Sequence, residues 1–81
     1  MRIDVKLFAA ARDAAGDGVV SLNLTDTVDV AELRRELTKT VPALAPLADS
    51  LLVAVNNQYA NDNVPLNESD EVACFPPVSG G

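Results

Sequence analysis

The chain has 81 residues, 48% hydrophobic and 22% charged, with a formal net charge of −6 at pH 7. That suffices for one small domain with a compact core and excludes a disordered chain. A single cysteine, Cys74, and no histidine leave no disulfide framework, no zinc ligand set and no Cys/His nucleophile pair. Twelve acidic against six basic residues argue against nucleic acid and anionic membrane as partners. The sign steers the chain toward basic protein surfaces instead. No apolar run approaches the roughly 20 residues that span a bilayer. The start, Met1-Arg2-Ile3-Asp4-Val5-Lys6, alternates as a strand does and not as a signal peptide does, so the expected location is cytoplasmic.

From Arg2 to Phe8, Ile3, Val5 and Leu7 share one face while Arg2, Asp4 and Lys6 share the other, which predicts a half-buried strand. Ala9 to Ala15 is a run of helix formers ended by Gly16, so about two turns of helix are expected. Asp17-Gly18 turns the chain into a second strand, where Val20, Leu22 and Leu24 alternate with Val19, Ser21 and Asn23. The main helix is predicted to start at Asp29, which with Glu32 makes the Asp form of a capping box. Val30, Leu33, Leu37 and Val41 then make one apolar stripe, with Arg34, Arg35, Glu36 and Lys39 on the solvent side, and Pro42 ends the helix. The Arg34-Arg35 pair reads as a solvated helix face.

Ala43 to Ala48 reads as a compact connecting turn. Leu51-Leu52-Val53-Ala54-Val55 is apolar at five successive positions, which predicts a strand covered on both faces. Asn56-Asn57-Gln58 turns the chain and Tyr59-Ala60 pairs briefly. Asn61-Asp62-Asn63 and Asn67-Glu68-Ser69-Asp70 are further turns around an extended Val64-Pro65-Leu66. Glu71 to Phe75 is the last strand, with Val72 and Cys74 on one face and Ala73 and Phe75 on the other.

A hairpin followed by a helix and then further strands needs a crossover, which gives an α+β fold: a mixed sheet with the main helix packed on one face. A β-grasp satisfies this, with the first and last strands side by side at the centre. Residues 1–75 are then the domain and 76–81 a free tail projecting from the sheet. That tail, Pro76-Pro77-Val78-Ser79-Gly80-Gly81, sets a stiff spacer before two residues without a Cβ. It is suited to a channel too narrow for side chains, with the carboxylate of Gly81 presented to another protein's active site. Polyproline geometry at about 3.1 Å per residue gives it a reach of roughly 18 Å.

The ending from Asp70 to Gly81, with its Phe75-Pro76-Pro77-Val78-Ser79-Gly80-Gly81 run, resembles the small, sulfur-carrying subunits of molybdopterin synthase. So do Leu7-Phe8-Ala9 with Arg12 and Gly16, and Val53-Ala54-Val55-Asn56. The likeness spans the full length; Cys74 stands where that family is expected to have an aromatic residue. A buried-strand cysteine is a smaller apolar substitute and leaves the tail intact.

The resemblance implies a ubiquitin-like β-grasp that is not itself an enzyme and binds no permanent cofactor. A ubiquitin-activating-type enzyme would use ATP to adenylate Gly81, and a sulfur donor protein would convert the acyl adenylate to a thiocarboxylate. The tail would then enter the large synthase subunit and give its sulfur to cyclic pyranopterin monophosphate, two small subunits sitting at the ends of a large-subunit dimer. The residues agree with a carrier role. A carboxylate ionised at neutral pH is a poor electrophile until adenylation supplies a leaving group, and the chain shows no phosphate-binding Gly-rich loop, no His base and no metal ligand set.

Phe75 and Tyr59 form a partner surface if both lie on the sheet face away from the helix, and belong to the core otherwise. Phe8 points opposite to Ile3, Val5 and Leu7 and is a candidate for the same patch. Arg12 either pairs with an acidic group on a partner or is simply solvated. Cys74 is expected to serve packing, a strand thiol having little of the thiolate character a sulfur relay needs. Two rivals remain in view: a related β-grasp carrier for thiamine or tRNA thiolation or a lysine-conjugated modifier, and a plain interaction domain with an inert tail.

Overall fold

The computed structural model describes residues 1–77. Strand β1 (Arg2–Leu7) leads into helix α1 (Ala9–Ala15), β2 (Val19–Asn23), helix α2 (Val30–Thr40), a 3-10 helix (Pro42–Leu47), then β3 (Leu52–Val55), β4 (Gln58–Tyr59) and β5 (Val72–Phe75). They make one five-stranded sheet in the order β2-β1-β5-β3-β4. β1 pairs antiparallel with β2 and parallel with β5, so the first and last strands meet at the centre as a β-grasp requires. No helix among the described residues is long and apolar enough to cross a membrane.

Alternation decides which face is covered. Ile3, Val5 and Leu7 of β1 point to the same side as Val72 and Cys74 of β5 and Val53 of β3, and Val30, Leu33 and Leu37 of α2 close that side into one core. Each is at most 2% exposed, so their burial is the main stabilising term, about 25 cal/mol per Å² of apolar surface. Leu44 of the 3-10 helix and Leu66 complete the core from the loops.

Caps set the helix ends. Gly16 ends α1 in the left-handed region (φ 74°) and donates its N–H to the carbonyl of Arg12 at 2.9 Å, a geometry closed to most L residues. At α2, Asp29 Oδ1 accepts from the backbone N–H of Glu32 at 2.9 Å. Only this arm of the capping box forms: the Glu32 carboxylate turns to Arg35 instead. The β3–β4 turn is Asn56-Asn57 alone, both left-handed (φ 52° and 68°), and pairing starts at Gln58, one residue earlier than the expected Asn56-Asn57-Gln58 turn with pairing at Tyr59-Ala60.

Two expectations need correction. β3 is not covered on both faces: Leu52 is 38% exposed, because α2 packs on one side of the sheet only. Arg34 is not a solvated residue of the helix surface. Its side chain is 18% exposed and its guanidinium donates to the carbonyls of Ala48 and Leu51 while reaching Asp62, so the charge is held by the chain connecting α2 to β3 and by the loop after β4. Arg35, beside it, is exposed as expected.

Candidate functional site

The outer sheet face is split by composition. On the β2–β1 side it is polar: Ser21 donates to Asp4 at 2.7 Å and Arg2 bonds both. Those bonds hold the Asp4 carboxyl below the usual carboxylate range, the Ser21 hydroxyl contributing most. On the β5–β3–β4 side it is apolar. The cross-strand pairs Leu52–Phe75, Ala54–Ala73 and Ala54–Tyr59 place these side chains on one surface.

All three aromatics of the chain converge there. Phe8 is 43% exposed, Tyr59 73% exposed and Phe75 half-buried. Phe8 stacks on Phe75 with ring centroids 4.8 Å apart and planes within 10°. The two rings, Tyr59 and the small Ala54 and Ala73 line a shallow depression of about 320 Å³, with Lys6, Asn57 and Glu71 contributing its polar groups. A contiguous exposed apolar surface with a charged margin is what a protein partner covers.

Two local devices fix its borders. Asn56 donates from Nδ2 to Asp70 at 3.0 Å and accepts from the Glu71 N–H at 2.9 Å, so the β3–β4 turn that places Tyr59 is tied to the start of β5. At the other end, Phe8 N–H donates to the Cys74 carbonyl at 3.2 Å, which extends the β1–β5 ladder to the base of the aromatic stack.

Of the predicted site residues, Phe8, Phe75 and Tyr59 are brought together. Pro76 is half-buried and Pro77 exposed, directly after the stack. Arg12 is exposed on α1 and lies over the α1–β2 turn, its guanidinium within about 3.5 Å of where a Cβ on Gly18 would be, not against the aromatic depression. Val78, Ser79, Gly80 and Gly81 lie outside the described residues. Cys74 is in the core at 1% exposure, and burial pushes its thiol up to about 11, so it has negligible thiolate at neutral pH.

Leu52 and Ala54 escaped the sequence reading as members of this surface, whereas Ala73 shares the face of Phe75 as its alternation with Cys74 predicts. A run of five apolar residues carries no alternation from which the open side could be found; the signal for Leu52 and Ala54 lies in their partners across the sheet, Phe75 and Ala73.

A mixed β-grasp sheet with one covered face and one open aromatic face, its central strand followed in sequence by Pro-Pro-Val-Ser-Gly-Gly, defines a protein of the ubiquitin-like fold. The chain belongs to the ThiS family, which matches residues 5–81. It is 34% identical over 83 residues to the molybdopterin synthase sulfur carrier subunit of Chlamydomonas reinhardtii, covering 100% of both chains. It is 37% identical to that of Escherichia coli (strain K12), covering 98% of this chain and 99% of the relative. Among solved structures it superimposes on SAMP1, a small archaeal modifier protein of Haloferax volcanii, with a TM-score of 0.88 at 29% identity over 100% of both chains.

Proposed function

We propose that this chain is the sulfur carrier of molybdopterin formation. The observation that carries the reading is the end-to-end match to sulfur carrier subunits of molybdopterin synthase, together with the Phe75-to-Gly81 ending. In this reading the Gly81 carboxylate oxygen attacks the α-phosphate of ATP on an activating enzyme and pyrophosphate leaves. Hydrosulfide then attacks the acyl carbon, AMP departs with the C–O electrons and the sulfur loses its proton, leaving a thiocarboxylate. Val78, Ser79 and the two glycines pass through the narrow channel of the large subunit, and Pro76 and Pro77 lower the ordering cost of insertion because their φ angles are already set. Phe8, Tyr59 and Phe75 supply the docking surface, Arg12 a flanking charge, and the large subunit the catalytic groups.

A second reading has its own support: the fold likeness to SAMP1. A modifier would form the same acyl adenylate but deliver it to a lysine amine, giving an isopeptide bond instead of a thiocarboxylate. Intact-protein mass spectrometry separates the two, after incubation with ATP, a ubiquitin-activating-type enzyme and sulfide. A gain equal to one oxygen-to-sulfur exchange, mapped to Gly81, is the expected result. Unchanged mass with a competent activating enzyme would overturn the carrier reading, and conjugates to protein lysines would install the modifier in its place.

A further inference from the structure

The junction between β1 and α1 is built in a costly way. Ala9 sits in the left-handed region at φ 52°, where an L residue with a Cβ pays about 1 kcal/mol. The turn lets the Phe8 carbonyl accept from the N–H groups of Ala11 (3.2 Å) and Arg12 (3.4 Å), starting α1 without any side-chain cap. The Phe8 N–H stays on the Cys74 carbonyl, so both backbone groups of Phe8 are anchored while its ring lies on the open sheet face against Phe75.

Phe75 is the last residue of β5, paired with Leu52, and two prolines follow it. Neither proline has an N–H to extend the ladder. The backbone beyond Phe75 therefore takes its direction from how Phe75 itself is held, and Pro76, with a fixed φ, passes that direction on. Holding Phe75 are its pairing with Leu52 and the parallel ring of Phe8. The stack contributes little to global stability, since Phe8 is 43% exposed. Its geometric effect falls on the single residue from which the tail departs.

We infer that Phe8, anchored by the left-handed turn at Ala9, is a positioning residue that sets the direction in which the C-terminal segment leaves the sheet by stacking on Phe75. The inference rests on the carrier reading and deepens it: Phe8 acts on delivery of the terminal carboxylate and not only as apolar contact area. Small misplacements of a reacting group cost rate steeply, and affinity much less.

The test is steady-state thiocarboxylation by the activating enzyme with ATP and sulfide, using wild type, Phe8→Leu, Phe8→Tyr, Phe75→Leu and the double variant Phe8→Leu/Phe75→Leu. Leucine keeps apolar area for a partner but cannot stack; tyrosine restores the stack. Thermal melts establish that each variant is folded. For Phe8→Leu the expected result is kcat lowered about fivefold or more with the KM for the carrier within about twofold of wild type. Phe8→Tyr returns kcat to near wild type. The double variant is no worse than the worse single one, because both substitutions break the same contact.

A raised KM with unchanged kcat would make Phe8 a contact residue and overturn the inference, as would additive losses in the double variant. Wild-type kcat in Phe8→Leu would overturn it while leaving the carrier reading intact. No thiocarboxylation of the wild-type chain would overturn the carrier reading and this inference together.

Discussion

The guanidinium of Arg34 donates to the Ala48 carbonyl at 2.7 Å and the Leu51 carbonyl at 2.6 Å and meets Asp62 at 3.2 Å. Three acceptors in different directions need a planar fork, which a lysine ammonium on a flexible stem cannot reproduce. Arg34→Lys is therefore expected to lose about 1–2 kcal/mol in urea unfolding. Arg35→Lys, whose pair with Glu32 is exposed, is expected to change by less than about 0.5 kcal/mol. Equal effects would mean that the bonds to the connecting chain contribute nothing. In sequence the two arginines are adjacent and indistinguishable; what separates them is which carbonyls the chain brings back to α2, a long-range fact. Cys74 gives a second prediction. Burial raises its thiol from an ordinary value near 9 to about 11. Above pH 9 the unfolded chain releases this proton and the folded chain holds it, so stability is fully present below about 9 and lost as pH rises through about 11. The loss should reach about 2–3 kcal/mol. Melts between those values should fall more steeply for wild type than for Cys74→Val, and parallel curves would mean the thiol is not desolvated.

At the scale of the elements, period and punctuation made most of the fold legible. The alternation of β1, the Asp29 cap, the stripe of α2, Gly16 and Pro42 each act within a few residues, and each sits where the structure has it. Faces were harder. The five apolar residues from Leu51 to Val55 look alike in sequence, yet Leu52 is 38% exposed and Val53 2%. Only the position of α2 breaks the tie. Leu52→Gln should accordingly cost less than about 1 kcal/mol of stability while weakening binding to the large-subunit partner of the proposed carrier function, and Val53→Ala should cost about 2 kcal/mol. The reverse ranking in denaturant melts would put the core on the wrong side of β3. The β3–β4 turn gives a cleaner case. Asn57 holds φ 68°, so Asn57→Ala is expected to destabilise by about 1 kcal/mol and Asn57→Gly to be neutral or slightly stabilising. An alanine variant as stable as wild type would mean the turn is not held in this left-handed form.

Across the whole molecule, what the sequence made plain was a compact β-grasp domain, and what it left open was the make-up of its exposed sheet face. The aromatics and alanines of the open face come from the β1–α1 junction, β3, β4 and β5 and meet only through the sheet order. Charge is the remaining global property, and it has a measurable consequence. Net charge is −6; among the described residues no charged side chain is buried and each ion pair has at least one exposed member. Attractive pairs of that kind are worth little, whereas repulsion among excess carboxylates acts over the whole surface and opposes compaction. Salt screens both, with a Debye length of about 10 Å at 0.1 M, so the weaker attractions and the stronger repulsion fade together and the balance shifts toward the folded state. At pH 7 the melting temperature should rise by a few degrees on going from about 0.02 M to about 0.5 M sodium chloride. The slope should shrink as pH approaches the isoelectric point, ≈ 4.2, where net repulsion vanishes. A melting temperature that falls with salt at pH 7 would mean that the few ion pairs outweigh the excess charge. An equal rise at both pH values would assign the effect to salting-out of apolar surface, because that contribution does not depend on net charge.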